Sequence, residues 1–184
     1  MEGKVVFKGC TKDGREYLIR YPQSGDAPAM AEYINTLSQE KTFVRYQGEK
    51  ISLESEEKYL KGQLEKIQKN QTVQLLVICE SKVVGVTSID LRDKTESHEG
   101  VFGISISKEF RNHGIGKIFM KLILEEAERN LPSLKIITLE VFANNPIAQE
   151  MYKKFGFQEF GMLPGGIVYK GKYIDRIYMY KKVR

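Results

Sequence analysis

The sequence predicts a mixed α/β fold in which helices cover the faces of a central sheet. Short apolar segments of strand character alternate with segments in which apolar residues recur at helical spacing. Their order is two strands, two helices, three strands, then helix, strand, helix and two strands, which is typical of a mixed sheet. With 184 residues, 41% of them hydrophobic, the chain can bury one core of ordinary size. We therefore expect a single domain over residues 1–184.

The first half of the chain is predicted to hold a hairpin, two helices and a second hairpin. Asp13-Gly14 is a favoured tight-turn pair, which predicts an N-terminal β-hairpin within residues 1–21. Helices are expected after Asp26 and from about Ser52, a good N-cap that precedes several acidic residues. The predicted apolar stripes are Ala27, Met30, Ile34 and Leu37 in the first helix, and Leu53, Leu60, Leu64 and Ile67 in the second. The strands Val73–Cys79 and Val83–Leu91 are three residues apart and should pair antiparallel.

The second half alternates strands and helices before a strand pair at the C-terminus. A strand is predicted over about Val101–Ser107, and the next one over Lys135–Phe142. Between them, apolar residues at helical spacing predict a helix over about Gly114–Asn130. A short helix over Ala148–Phe155 follows. Two further strands, joined through Pro164-Gly165-Gly166, complete the prediction, and the last of them lies in the basic tail of residues 170–184.

Charge and composition limit the classes of function. The chain has 29 basic and 24 acidic residues, a net charge of +5, which suits an anionic ligand but is weak for a nucleic-acid binder. No apolar run approaches the roughly 18 residues of a membrane span, and the N-terminus is too polar for a secretory signal. Cys10 and Cys79 form no CxxC pair, so neither a disulfide scaffold nor a metal site is expected. We expect a cytoplasmic protein without a metal.

Residues 101–117 carry the most informative pattern, a strand that passes through a short loop into a helix. On the strand, the small residues Gly103 and Ser105 alternate with larger apolar residues. One face of the strand therefore leaves room for a ligand to approach the backbone.

The start of the following helix has the composition of an anion site. Its first turns lack acidic residues, and Gly114 and Gly116 lie between Arg111 and Lys117. Free N–H groups at the positive end of the helix dipole, bare glycines and two cations favour a phosphate or pyrophosphate. The alternative is that the glycines only permit a tight loop and that Arg111 is a solvated charge.

Two motifs resemble those of a known family, the GNAT superfamily of acetyl-CoA-dependent N-acetyltransferases. The first matches the pattern R/Q-x-x-G-x-G/A in Arg111-Asn112-His113-Gly114-Ile115-Gly116. The second resembles N-x-x-A-x-x-x-Y-x-x-x-GF and runs from Asn145 through Tyr152 to Phe157. The resemblance implies the GNAT fold, a mixed and mostly antiparallel sheet of about seven strands flanked by helices on both faces.

The resemblance also implies acetyl-CoA as co-substrate and names the residues that would bind it. Strand residues Ile104, Ser105 and Ile106 would hold the pantetheine arm, and Asn145 would contact the same arm. Tyr152 corresponds to the tyrosine that gives a proton to the departing thiolate, although it also belongs to an ordinary core stripe. The pyrophosphate would be wrapped by the loop that consists of Arg111, Asn112, His113, Gly114, Ile115, Gly116 and Lys117.

The general base is left open between two glutamates and water. Many relatives carry a glutamate at the position of Val101. Glu140 matches a strand glutamate assigned as base in ribosomal-protein acetyltransferases, and a charged residue within a buried strand is explained by a substrate cleft. The alternative for Glu140 is a structural ion pair. Glu99 is the second candidate base.

The predicted function is direct transfer of an acetyl group from acetyl-CoA to a primary amine of a small molecule or amino acid. A protein N-terminal or lysine amine is the alternative acceptor, and a homodimer is kept open. The first two helices, the loop Thr42–Lys50 and the tail hairpin are expected to select the acceptor. An alternative of another class is a non-catalytic acyl-CoA-binding regulatory module, which Val101 favours. We expect neither a membrane nor a nucleic acid as partner.

Overall fold

A computed structural model describes residues 1–183, in which eight strands and four α-helices follow the predicted order. The fold class is confirmed, and the eight strands are those predicted along the chain, one more than the seven or so that the family resemblance implies. The strands are β1 (Val5–Cys10), β2 (Glu16–Arg20), β3 (Thr72–Cys79), β4 (Lys82–Leu91), β5 (Glu99–Ile106), β6 (Ile136–Phe142), β7 (Gln158–Tyr169) and β8 (Lys172–Lys182). The helices are α1 (Ala27–Gln39), α2 (Leu53–Gln68), α3 (Ile115–Asn130) and α4 (Pro146–Lys154).

The chain divides into two compact units, and β5 contributes to both. The first unit comprises residues 1–90 and 103–132. Its strand order is β1-β2-β3-β4 followed by the second half of β5, and the first three pairings are antiparallel. Strand β3 is buried almost throughout. A core cluster of the unit joins α1, α2, β3 and β4 and consists of Ala27, Met30, Tyr33, Leu37, Leu60, Leu76 and Val83.

The second unit comprises residues 91–102 and the described residues from 133 onward. The first half of β5 pairs parallel with β6, and β6 pairs antiparallel with β8, which in turn pairs antiparallel with β7. Along β6, Ile137, Leu139 and Val141 are buried, while Glu140 is exposed. Buried side chains therefore alternate with more exposed ones along β6, as they do in a strand with one covered face.

The turn predicted for the C-terminal strand pair was wrong. Strand β7 continues through Pro164, Gly165 and Gly166, and the turn to β8 falls at Lys170-Gly171, where both residues have positive φ. The strand absorbs the proline and glycines as an irregularity, because the pairing register shifts between Leu163 and Ile167.

Side chains of β8 satisfy the backbone of this irregular segment. Asp175 Oδ1 accepts a hydrogen bond from the Gly165 amide at 2.8 Å. The Arg176 guanidinium donates to the Gly166 carbonyl oxygen at 2.6 Å. These two contacts replace ladder hydrogen bonds and explain why a strand tolerates residues that usually form a turn.

The apolar stripe predicted for α2 needs one correction. Leu53 lies at the first position of the helix and is 46% exposed, whereas the buried residues are Glu56, Leu60, Gln63 and Ile67. Thus the buried face of α2 contains a carboxylate and an amide.

Among the described residues, no helix is long and apolar enough to cross a membrane.

Candidate active site

The N-terminus of α3 presents unused backbone donors. Its N-cap is Gly114, at φ 84°, and no side chain caps the helix or adds an acid to its first turn. Asn112 also has a positive φ, of 65°. Within residues 1–183, the amide N–H groups of residues 112–116 have no hydrogen-bond acceptor. Unpaired N–H groups at the positive end of a helix dipole form the environment that an anion requires.

Arg111 braces this loop from within the protein. Its Nε donates to the Ile106 carbonyl oxygen at 2.8 Å, and its guanidinium forms an ion pair with Glu40. The other carboxylate oxygen of Glu40 accepts the Lys108 amide at 2.9 Å. Glu40 follows the last residue of α1, so the loop is anchored to the end of that helix. Lys117 is exposed and has no ion pair within the described part of the chain, so its charge is available to a ligand.

The second half of β5 has the small face that the sequence predicts. Gly103 is exposed, and Ser105 is half-buried, as are Ile104 and Ile106. The Ser105 hydroxyl accepts a hydrogen bond from the Tyr33 hydroxyl at 2.8 Å. The strand therefore offers backbone to a ligand next to an ordered hydroxyl pair.

His113 ties the loop to the turn between β1 and β2. Its Nδ1 accepts the Lys12 amide at 3.3 Å and lies 3.6 Å from Asp13. These contacts give His113 a structural role in addition to its place in the loop motif.

Tyr152 lies in α4, inside the second compact unit, with 8% of its surface exposed. Its ring packs edge-to-face against Phe102, with the centroids 5.9 Å apart. The hydroxyl has no hydrogen-bond partner within residues 1–183. Burial raises the pKa of Tyr152 to about 12, because the charged phenolate is poorly solvated there. The side chain is thus a core ring that carries an unpaired, neutral hydroxyl.

Asn145 caps the helix that carries Tyr152. Its side-chain oxygen accepts the Ala148 amide at 3.3 Å, and Pro146 follows at the first helical position. The side chain of Asn145 therefore sets where α4 begins.

The two candidate bases differ in their surroundings. Glu140 is exposed and accepts a hydrogen bond from Arg176 at 3.2 Å, the structural ion pair that the sequence left open. Glu99 accepts from the Thr138 hydroxyl at 2.7 Å and from Arg92 Nε at 2.9 Å. Burial alone would raise the pKa of Glu99, but these two donors outweigh it and the pKa is lowered. A lowered pKa makes Glu99 a weaker proton acceptor than an ordinary glutamate.

A cavity of about 350 Å³ lies in the first unit, lined by α1, α2, the loop between them, β4 and β5. The sequence predicts that these helices and their loop select the acceptor, but it does not indicate which of their polar residues line the cavity. Those residues include Tyr33, Ser55, Glu56 and Tyr59. Glu56 is only 7% exposed, and burial raises its pKa.

Comparison with known proteins bears on both sequence motifs. The sequence model of the acetyltransferase (GNAT) family matches residues 32–157, which include the α3 loop and Tyr152. A curated relative is the L-amino acid N-acetyltransferase AaaT of Escherichia coli strain K12, 32% identical over 107 residues. That match covers 58% of this chain and 65% of the relative, so the chain spans less than two thirds of the relative's length.

Solved structures share the fold over almost the whole chain. An acetyltransferase of the GNAT family from Streptococcus pneumoniae has a TM-score of 0.83 and 27% identity, covering 91% of this chain and 99% of its own. The spermidine N-acetyltransferase of Vibrio cholerae, in complex with CoA and spermine, has a TM-score of 0.73 and 21% identity. It covers 90% of this chain and 95% of its own.

Proposed function

Because the chain belongs to the GNAT family of acetyltransferases, we propose that it transfers an acetyl group from acetyl-CoA to a primary amine of a small molecule or an amino acid. The observation that carries this proposal is the row of unpaired amides at residues 112–116. Such a row suits the pyrophosphate of CoA. The L-amino acid acetyltransferase among its relatives supports a small acceptor.

The α3 loop fits an anionic cofactor such as acetyl-CoA in charge. The loop of residues 111–117 would hold the pyrophosphate through its amides, and Lys117 would add a positive charge. Arg111 would act by bracing the loop, since its guanidinium is already paired with Glu40. Residues 104–106 would offer their backbone to the pantetheine arm, and Asn145 would contact the same arm while capping α4.

Direct transfer requires few protein groups. The amine nitrogen would bond to the thioester carbonyl carbon of acetyl-CoA, the carbon–sulfur bond would break, and CoA would leave as a thiolate. A β5 backbone N–H would stabilise the oxyanion, and Tyr152 would donate a hydrogen bond or a proton to the sulfur. Since the pKa of Tyr152 is about 12 and that of a thiol is about 8.5, the hydroxyl would keep its proton and stabilise the thiolate as a hydrogen-bond donor. The acceptor would lose its own proton to Glu140, to Glu99 or to water.

Release of free CoA in the presence of an amine panel tests the proposal. The wild-type protein should release CoA with at least one amine, and Tyr152→Phe should lower kcat by about 10²-fold or more. The Kd of acetyl-CoA should stay within about twofold, because the Tyr152 hydroxyl has no partner in the protein whose loss would disturb the fold. A non-catalytic acyl-CoA-binding module would bind acetyl-CoA without turnover in either protein, which would contradict the proposal.

A further inference from the structure

The cavity of about 350 Å³ combines an apolar lining with a single ionic group. Met30 and Ile34 of α1 contribute apolar surface, and Tyr33, Tyr46 and Tyr59 contribute aromatic rings. Glu56 of α2 is the charged side chain in the lining. No lysine, arginine or histidine lines this cavity within the described part of the chain. The cavity is thus small, aromatic and negative.

Glu56 lacks the partner that a buried carboxylate normally has. Its side chain forms no hydrogen bond or ion pair with any of residues 1–183, although only 7% of the residue is exposed. The carboxylate oxygens themselves are not fully buried, so a ligand can reach them, and a carboxylate on a residue with so little exposure is poorly solvated without a partner. A cation bound in the cavity would supply the missing charge.

The aromatic lining is also suited to a cation. Tyrosine faces attract ammonium groups through their ring electrons. Two of the three hydroxyls are already held: Tyr33 donates to Ser105 at 2.8 Å, and Tyr59 accepts from the Gln74 amide at 2.9 Å. The rings of Tyr33 and Tyr59 are therefore held in place before any ligand binds. A ligand carboxylate, in contrast, would meet a like charge and no cation.

We infer that this cavity binds the acceptor as an ammonium ion with an apolar or aromatic body and no carboxylate beside the amine, with Glu56 as its counter-ion. The inference rests on the proposed function, because Ser105 belongs both to the cavity lining and to the strand segment proposed to hold the cofactor arm. It separates this chain from its relative that acetylates L-amino acids. Glu56 then determines specificity by binding the substrate.

Matched amine pairs that differ only in a carboxylate test the substrate class. Acetylation is measured by CoA release for 2-phenylethylamine against L-phenylalanine and for 3-methylbutylamine against L-leucine. We expect kcat/KM to be higher for the amine of each pair by at least about tenfold, since the amino acid brings a negative charge next to Glu56. Equal or better acetylation of the amino acids would overturn the inference.

Substitution of Glu56 tests its role. Glu56→Gln should raise KM for the amines by about 10- to 100-fold and reduce their preference over the amino acids, with the Kd of acetyl-CoA unchanged. Glu57→Gln is the matched control, because it removes the same charge from an adjacent exposed position and should change KM by less than about twofold. Glu56→Asp should keep the preference. A fall in kcat at unchanged KM in Glu56→Gln would contradict a binding role.

Failure of the inference differs from failure of the proposed function. If acetyl-CoA does not bind in calorimetry, the proposed function is wrong. If acetyl-CoA binds but no amine of the panel is acetylated, the proposed function is also wrong. If other amines of the panel are acetylated but 2-phenylethylamine and 3-methylbutylamine are not, the inference alone is overturned. Thermal unfolding of each variant confirms that the compared proteins are folded.

Discussion

At the scale of single residues, burial acts on Tyr152 and Glu56 in the same direction, by opposing the charged form. For Tyr152 the result is a phenol that stays neutral, with a pKa of about 12. For Glu56 the raised pKa means that the charged carboxylate costs free energy in the ligand-free protein. In the proposed function, Tyr152 therefore acts as a neutral hydrogen-bond donor, and in the further inference Glu56 holds a charge that the ligand neutralises.

The raised pKa of Glu56 predicts how its replacement changes stability with pH. A folded-state pKa above the ordinary 4.5 means that Glu56 contributes most to stability below about pH 4.5. That contribution is lost as the pH rises through the folded pKa. Glu56→Gln imitates the protonated group, so it should raise Tm at pH 7–8 and leave it nearly unchanged at pH 4. For a chain of this size, each 1 kcal/mol of unfolding free energy moves Tm by roughly 2–4 °C.

Thermal unfolding across this pH range measures the effect, and Glu57→Gln serves as the control. Glu57 is exposed, so its variant should follow the wild-type Tm within about 1 °C. A lower Tm for Glu56→Gln at pH 7 would contradict the account, because it would show that the carboxylate stabilises the folded protein.

Glu56 could have been found in the sequence, whereas Glu40 could not. Glu56 lies four residues before Leu60, on the helical stripe that reaches Ile67, and a carboxylate on an apolar stripe is unusual. The sequence also predicts Glu56 to be one of several acidic residues that stabilise the start of α2, and Glu56 does lie in the first turn of that helix. The contact of Glu40 with Arg111 joins residues 71 apart, and no local pattern indicates it.

At the scale of elements, the N-termini of α2 and α3 show two ways to satisfy a helix dipole. Helix α2 is capped by the Ser52 hydroxyl and carries Glu54 and Glu56 in its first turn. Helix α3 has neither a side-chain cap nor an acid, and its N-cap is Gly114. The N-terminal dipole of α2 is satisfied by side chains of the protein. The N-terminus of α3 has no such partner among the described residues, which is the environment that an anion favours.

This contrast predicts that a carboxylate at Gly114 weakens acetyl-CoA binding. Gly114→Asp places a negative charge beside the unpaired amides, and no heavy atom lies within 4 Å of the added Cβ. The left-handed φ of 84° costs about 1–2 kcal/mol for a side chain, which is a cost in stability and not in binding. We expect the Kd of acetyl-CoA to rise at least about tenfold, as measured by calorimetry.

Gly171→Asp is the matched control for this change. Gly171 has a φ of 73°, also has no atom within 4 Å of an added Cβ, and lies in the turn between β7 and β8. Both variants therefore carry similar strain and the same charge. If the two variants weaken acetyl-CoA binding equally, the α3 loop is not the site of the pyrophosphate.

The last turn was misplaced because its local sequence pattern differs from its structure. Helices and strands were predicted where apolar residues repeat at a clear period, as in α3 and β6. Pro164-Gly165-Gly166 has turn composition, yet contacts from Asp175 and Arg176 hold it within a strand. A tertiary contact overrode a local preference that is correct on average.

At the scale of the whole molecule, the family could be recognised because its two motifs depend on backbone chemistry. Gly114 is needed for a left-handed N-cap, and Asn145 caps the helix that carries Tyr152. Because each of these backbone conformations requires a particular residue type at a particular position, the motifs have a fixed spacing that can be recognised in the sequence. The cavity proposed for the acceptor is assembled from α1, α2, the loop between them, β4 and β5 through tertiary packing, so its shape became visible only in the structure.

The central claim is that this chain binds acetyl-CoA through the α3 loop in order to acetylate an amine. Calorimetric titration of the wild-type protein with acetyl-CoA tests it most directly, because it requires no knowledge of the acceptor. ATP and desulfo-CoA serve as comparisons. The account predicts saturable binding at one site, with desulfo-CoA binding similarly and ATP more weakly. Absence of acetyl-CoA binding at millimolar concentration would contradict it, and the catalytic role proposed for Tyr152 would then be withdrawn as well.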